Sequence, residues 1–177
     1  MKKLFLMAVM TLFVIGVSAQ SPRWGVKAGL NMANLGGDVS PDARIGFHAG
    51  VTAEFGLTEM ISLQPEALVS LKGCDGVNPY YLEVPVNVKF NFPLNADKVF
   101  LAVGPYVAYG ISGDKNYFDA NKSLDYGLGI GAGYDWGDKW VFSLGYQMGL
   151  ANINDLPAPL DWTTKQNNVT LSVGYKF

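Results

Sequence analysis

Residues Asp125 to Trp136 read DYGLGIGAGYDW, with glycine at 127, 129, 131 and 133. Glycines this dense could cradle a phosphate, but a dinucleotide loop needs G-x-G-x-x-G between a strand and a helix. From Gly127 the sixth position is Ala132, from Gly129 it is Tyr134, and no helical pattern follows. The single histidine, His48, could act as a base for a serine nucleophile. Its nearest serines in sequence, Ser40 and Ser62, fall in a loop and on another strand, so His48 reads as a polar residue of a strand face. A lone histidine also has no clustered ligands for a metal. The stretch SGDKNYFDANKSLD spaces acidic and amide groups loosely like a calcium loop, but Phe118 and Asp119 stand where a ligand and a glycine are required. It reads as a solvated loop, and neither a cofactor nor a metal is expected from these motifs.

The elements carrying these residues are strands. Beyond Gln20 no sustained helical spacing occurs, whereas period-two alternation recurs in eight runs: 24–33, 45–55, 60–72, 80–92, 99–111, 124–136, 140–151 and 167–177. One face of every run is apolar and carries no charge, as in Leu82, Val84, Val86, Val88, Phe90 and Phe92. The other face is polar or small and carries Lys27, His48, Glu54, Glu66, Lys72, Glu83, Lys89, Asp125, Asp135 and Lys176. Eight amphipathic strands in a row need closure, since an open sheet would leave edge amides unpaired. The fold class is therefore all-β, an eight-stranded antiparallel up-and-down barrel.

Alternation alone does not say which face points outward. The connections do: GLTE, PLNADK and GDK are short, whereas 34–44, 73–79, 112–123 and 152–166 are longer, the asymmetry of periplasmic turns and extracellular loops. With the termini on the short-turn side, Trp24, Phe55, Phe92, Trp136 and Phe177 collect at one end as an interfacial aromatic girdle. Runs of about ten residues suit a tilted bilayer crossing. The apolar face should meet lipid and the charged face a lumen, making this a transmembrane barrel.

The N-terminus reads MKKLFLMAVMTLFVIGVSAQ, with Lys2 and Lys3 before an apolar run and small residues before Gln20. This is the pattern of a secretory signal peptide over residues 1–19, leaving a barrel domain at 20–177. Without Lys2 and Lys3 the chain holds 11 basic and 15 acidic residues, and nothing suggests nucleic acid. The only cysteine, Cys74, has no internal disulfide partner.

The segments WGVKAGLNMANL, ISLQPEALVSLKG, YLEVPVNVKF, VGPYVAYG, YGLGIGAGYDW, GYQMGLANI and the terminal VGYKF, in this order, resemble the porin-family outer membrane β-barrel domain of Bacteroidetes-type bacteria, related to OmpA/OmpX-type barrels. The resemblance implies an outer-membrane location in a Gram-negative cell, contact with outer-membrane lipids including lipopolysaccharide, and recognition of the terminal Phe177 by the barrel-assembly machinery. It implies no defined substrate, and no peptidoglycan-binding domain is expected after Phe177.

Eight strands enclose a space that side chains just fill. Four lysines against five carboxylates should pair there, with Lys27 beside Glu54 and Glu66 beside Lys89, because an unpaired buried charge costs several kcal/mol. The glycine run then becomes a wall without side chains, leaving room for chains around Glu66, Glu83 and Lys89. The reading is a non-enzymatic barrel with a filled polar lumen, structural or recognising an unknown surface ligand through its loops. In the last loop Leu156, Leu160 and Trp162 are the apolar contacts that would fold over the mouth or dock a partner. A narrow channel is the alternative, and a lipid-modifying enzyme a further one.

Overall fold

A computed structural model describes residues 21–37, 44–72, 79–113, 123–151 and 164–177. The segment 1–20, Cys74 and the loop residues Leu156, Leu160 and Trp162 lie outside the described residues. The chain forms β1 (Arg23–Gly37), β2 (Arg44–Gly56), β3 (Ile61–Leu71), β4 (Tyr80–Leu94), β5 (Asp97–Ser112), β6 (Leu124–Trp136), β7 (Trp140–Gly149) and β8 (Thr164–Lys176). Each strand pairs antiparallel with the next, and β8 pairs with β1 to close a barrel. Every alternating run of the sequence lies on its own strand.

Closure fixes the tilt. The register from Lys27 passes through Gly50, Leu68, Glu83, Ala108 and Asp125, then across β7 and β8, and returns to β1 at Gly37. That is a shear of ten residues, which for ordinary strand spacings tilts the strands by roughly 40° and sets a radius of about 8 Å. Ten residues at that tilt rise about 25 Å, the height of an outer-membrane apolar band.

Burial runs opposite to that of a water-soluble protein. Leu30, Leu101, Ile130, Leu144 and Leu171 are each more than half exposed on the outside, while Lys72, Glu83, Lys89, Asp125 and Asp135 are buried inside. Charged side chains are almost never buried unless paired, and apolar ones in such a continuous band need a lipid solvent. The alternation therefore resolves with its apolar face outward.

The turns at one end are tight. The expected turn PLNADK shrinks to Asn95 and Ala96, because Pro93 and Leu94 pair with Lys98 and Asp97 as the last rungs of the ladder. Asn95 absorbs the reversal with φ of 57°. Between β6 and β7, Gly137 and Asp138 both have positive φ, the backbone twist that a hairpin favours. Asp138 there accepts from Lys98 at 2.9 Å and faces Arg23 at 3.4 Å, and the Lys98 hydrogen bond holds its carboxyl below the usual range. At this end Trp24, Phe92, Trp136 and Phe177 point outward and Phe55 is half-buried. Trp140, Tyr175 and Phe177 pack edge to face at 5.1 and 5.8 Å between centroids.

Three prolines on adjacent strands weaken the ladder on one side. Pro65, Pro85 and Pro105 lie opposite Ala53, Glu66 and Val86 by register, and the β2–β3, β3–β4 and β4–β5 ladders each lapse beside one of them. Proline supplies no N–H, so these three carbonyls lose a rung in a barrel that has no edge to hide them. The ladders of β5–β6, β6–β7, β7–β8 and β8–β1 run unbroken. One lost hydrogen bond corresponds to about tenfold in local opening. Amides flanking these prolines are therefore expected to exchange about tenfold faster than those of β6–β8 in hydrogen-exchange mass spectrometry, and Pro105→Val to slow exchange at Val86.

Candidate functional site

All ten lumen residues expected from phase point into the barrel, and they sort into tiers. Nearest the turn end, Lys89 and Lys176 meet Glu54 and Asp135. Lys176 lies 2.6 Å from Glu54 and 2.5 Å from Asp135, and Lys89 lies 3.3 and 3.7 Å from the same carboxylates. Two positive and two negative charges thus close a neutral square across the lumen. Ser62 donates to Glu54 at 2.8 Å and accepts from Asn91 at 3.0 Å, which fastens the square to β3 and β4.

The middle tier is Lys27 on Glu66 at 2.9 Å, with Gln64 also donating to Glu66 at 3.1 Å. The expected partners are exchanged: Lys27 takes Glu66, and Lys89 takes Glu54. The register is the reason. Lys27 is level with Gly50 and Leu68, one inward position from Glu66, whereas Lys89 is level with Ser62, on the Glu54 side of Gln64. Each lysine takes the nearer carboxylate, and the charge count is unaffected.

The loop-side tier is built on Lys72 and Glu83, 2.6 Å apart. Ser70 donates to Glu83 at 3.3 Å, and Gln147 donates to it from across the barrel. Lys72 and Asn168 both donate to Gln147 Oε1, at 3.2 and 3.0 Å. Asp125 accepts from the Tyr106 hydroxyl at 3.1 Å and has no lysine or arginine within ion-pair distance among the described residues.

The inward face holds more than polar and small residues. Tyr81, Phe100, Tyr106 and Leu68 are buried in it, and two of them answer the glycine question. Tyr106 lies opposite Gly127 and Phe100 opposite Gly133, each ring lying where a side chain would otherwise stand. Lys72 Nζ is then 5.0 Å from the Tyr106 centroid and Lys89 Nζ 4.0 Å from that of Phe100, both as cation–π contacts. Space beside the glycines thus goes first to neutral rings, and the charges stack on the rings. Following the inward phase of β5 past Ala102 and Gly104 would have found both aromatics. Around Gly129, Gly131 and Gly145 a cavity of about 100 Å³ persists, faced by Lys27, Glu66 and Asn87. That is room for a few waters.

His48 meets a serine that sequence distance concealed. Its Nε2 lies 2.9 Å from Ser172 Oγ on β8, reaching across β1 at Gly29, which is level with both residues. A Cβ at position 29 would sit 2.8 Å from His48 Cε1, so this glycine is what lets the ring cross its strand. The inward phase of Thr170, Ser172 and Gly174 was the available signal. Among the described residues His48 Nδ1 has no hydrogen-bond partner, and none of their carboxylates orients the ring as in a catalytic histidine. The pair is buried in the lumen, on the face turned away from lipid.

A closed eight-stranded barrel with an apolar exterior and a charge-filled interior places the chain among outer-membrane proteins, and residues 18–155 match the family model described as outer membrane protein beta-barrel domain. The chain belongs to that family. Its location is accordingly the outer membrane. No curated protein matches it by sequence. Solved structures do match in fold: Neisserial surface protein A has 12% identity and a TM-score of 0.58 over 89% of this chain and 100% of its own. The outer membrane enzyme PagL has 17% identity and a TM-score of 0.57 over 86% of this chain and 98% of its own. At these identities the likeness is one of fold.

Proposed function

We propose that the protein is a closed, non-enzymatic barrel of the Gram-negative outer membrane that carries its loops at the cell surface for an envelope-structural or recognition role. In this reading residues 1–19 direct export, Phe177 is read by the barrel-assembly machinery, lipopolysaccharide and phospholipid surround the apolar band, and Leu156, Leu160 and Trp162 contact the mouth or a surface ligand. The observation that carries it is the neutral square of Glu54, Lys89, Asp135 and Lys176 across the lumen. Solute passage would have to break it, and separating buried partners costs several kcal/mol.

The enzymatic reading finds a serine–histidine pair in His48 and Ser172, and a structural neighbour that is an enzyme. Two features weigh against it: among the described residues no acceptor orients Nδ1, and the pair faces the lumen while an acyl chain would arrive from outside. The expected result in planar bilayers is no stable stepwise conductance from the full-length barrel. A stable conductance that Lys89→Met changes would favour the narrow channel instead.

A further inference from the structure

Among the described residues the lysines of the lumen are all engaged. Lys27 holds Glu66, Lys72 holds Glu83, and Lys89 with Lys176 holds Glu54 and Asp135. The fifth carboxylate, Asp125, is fully buried, and its Oδ1 takes no hydrogen bond among the described residues. Other acceptors at the same loop-side level share that condition. Among the described residues, Gln166, 1% exposed, has no partner for either amide atom, and the side-chain oxygens of Asn168 and Asn31, 3% and 1% exposed, have none either. Buried polar atoms are hydrogen-bonded in the great majority of cases, so four orphan oxygens in one tier require a reason.

Their placement gives one. Asp125 is on β6 and Gln166 on β8, and between them the inward position of β7 is Gly149, level with Gly127. A Cβ on Gly149 would run into the backbone of Gln166, so this part of the wall is bare main chain. Asn168 is the next inward residue along β8, and Asn31 on β1 is level with Thr170, the one after. At this loop-side level β6, β8 and β1 each turn unpartnered oxygen atoms into the lumen, and the inward residues of β7 between β6 and β8 are Gly149 and Gln147. Among the described residues Lys72 is the ammonium of this tier, and it is engaged with Glu83 and with Gln147, whose Oε1 also takes the Asn168 amide.

We propose that this tier is a binding site for a hard divalent cation, with calcium the best match. The donors are all oxygen, one carboxylate and three amides, which excludes the soft metals that prefer sulfur or imidazole. Calcium accepts six to eight oxygens in loose geometry and completes its shell with water, whereas magnesium demands a regular octahedron. One carboxylate is a low charge for such a site, so the affinity falls in the weak, millimolar range of extracellular calcium modules.

The test uses the full-length chain refolded in lipopolysaccharide-free non-ionic detergent after chelator treatment. Thermal unfolding is followed against CaCl2, and against NaCl at matched ionic strength. Calcium at about ten times its dissociation constant is expected to raise the midpoint by roughly 3–6 °C, saturably, and NaCl is not. Asp125→Asn should lose that rise while unfolding no earlier than the parent without calcium, because it removes the surplus charge. A second readout needs no acidic variant: terbium bound beside Asp125 would be excited through Tyr106, whose hydroxyl is 3.1 Å from Asp125. Its emission should be displaced by calcium and fall at least twofold in Tyr106→Phe. A midpoint indifferent to calcium, a rise that NaCl reproduces or that persists in Asp125→Asn, or terbium emission that Tyr106→Phe leaves unchanged would overturn the site and leave water as the occupant.

Discussion

Replacing Lys89 with methionine is expected to destabilise the barrel by about 3–5 kcal/mol, the cost of breaking a buried ion pair from one side. Lys89 is fully buried and stands between Glu54 at 3.3 Å and Asp135 at 3.7 Å, with the Phe100 ring 4.0 Å beneath it. Its removal leaves two carboxylates sharing Lys176. The excess negative charge is poorly screened, because Asp135 is buried and the Glu54 side chain is only 13% exposed. The double variant Lys89→Met/Glu54→Gln restores balance and is expected to recover most of the loss, since a well-packed neutral replacement of a buried pair is often close to neutral. Urea unfolding of the refolded barrel, followed by tryptophan fluorescence and gel mobility, measures both. Equal destabilisation of single and double variants would mean that packing on Phe100, and not charge, is what Lys89 supplies. By contrast, Asp138→Asn at the turn breaks exposed contacts to Lys98 and Arg23 of the kind that contribute about 0–1 kcal/mol at most.

The strands were legible in the sequence because they follow from period-two alternation, and their facing because short and long connections alternate and aromatics collect at one end. Every residue from Lys27 to Lys176 assigned to the lumen by phase lies there, and Asp97, on the outward phase of β5, stands at its turn end where the Tyr134 hydroxyl donates to it. Partner choice was not legible. Whether Lys27 finds Glu54 or Glu66 depends on register, and register is set by turn lengths and by a shear that only closure of β8 onto β1 determines. Phe100 and Tyr106 share the inward phase of Ala102 and Gly104, but two rings on a face that is otherwise polar or small carry no composition signal of their own. The His48–Ser172 contact had no local signature, since 124 residues separate the two in sequence and only barrel closure brings them together. The proline seam was visible as residues, yet its consequence lay in alignment across β3, β4 and β5.

The glycine run itself gives the sharpest position-by-position expectation, because its four glycines do not have the same surroundings. At Gly133 a Cβ would run into the Phe100 ring and the Phe142 carbonyl, and at Gly127 into the Met148 carbonyl, with Tyr106 Cε1 at 2.8 Å. Backbone cannot yield, and each ring supports a lysine, so a methyl here propagates into the charge tiers. Gly127→Ala and Gly133→Ala are each expected to cost about 2–3 kcal/mol, as overpacking does in a filled interior. At Gly129 the nearest atoms to a Cβ are the Gly104 carbonyl at 3.7 Å and Gln147 Cγ at 3.8 Å, ordinary contacts beside the cavity. Gly129→Ala is therefore expected to be neutral or to stabilise by about 0.5–1 kcal/mol, by removing backbone freedom from the unfolded chain. Gly131, with the Leu144 carbonyl at 3.1 Å, should fall between. If the four alanine variants unfolded at the same urea concentration, the glycines would be serving strand flexibility and not the seating of Phe100 and Tyr106. A graded series would instead show that two of them are seats for aromatic rings and two are the wall of a hydrated chamber.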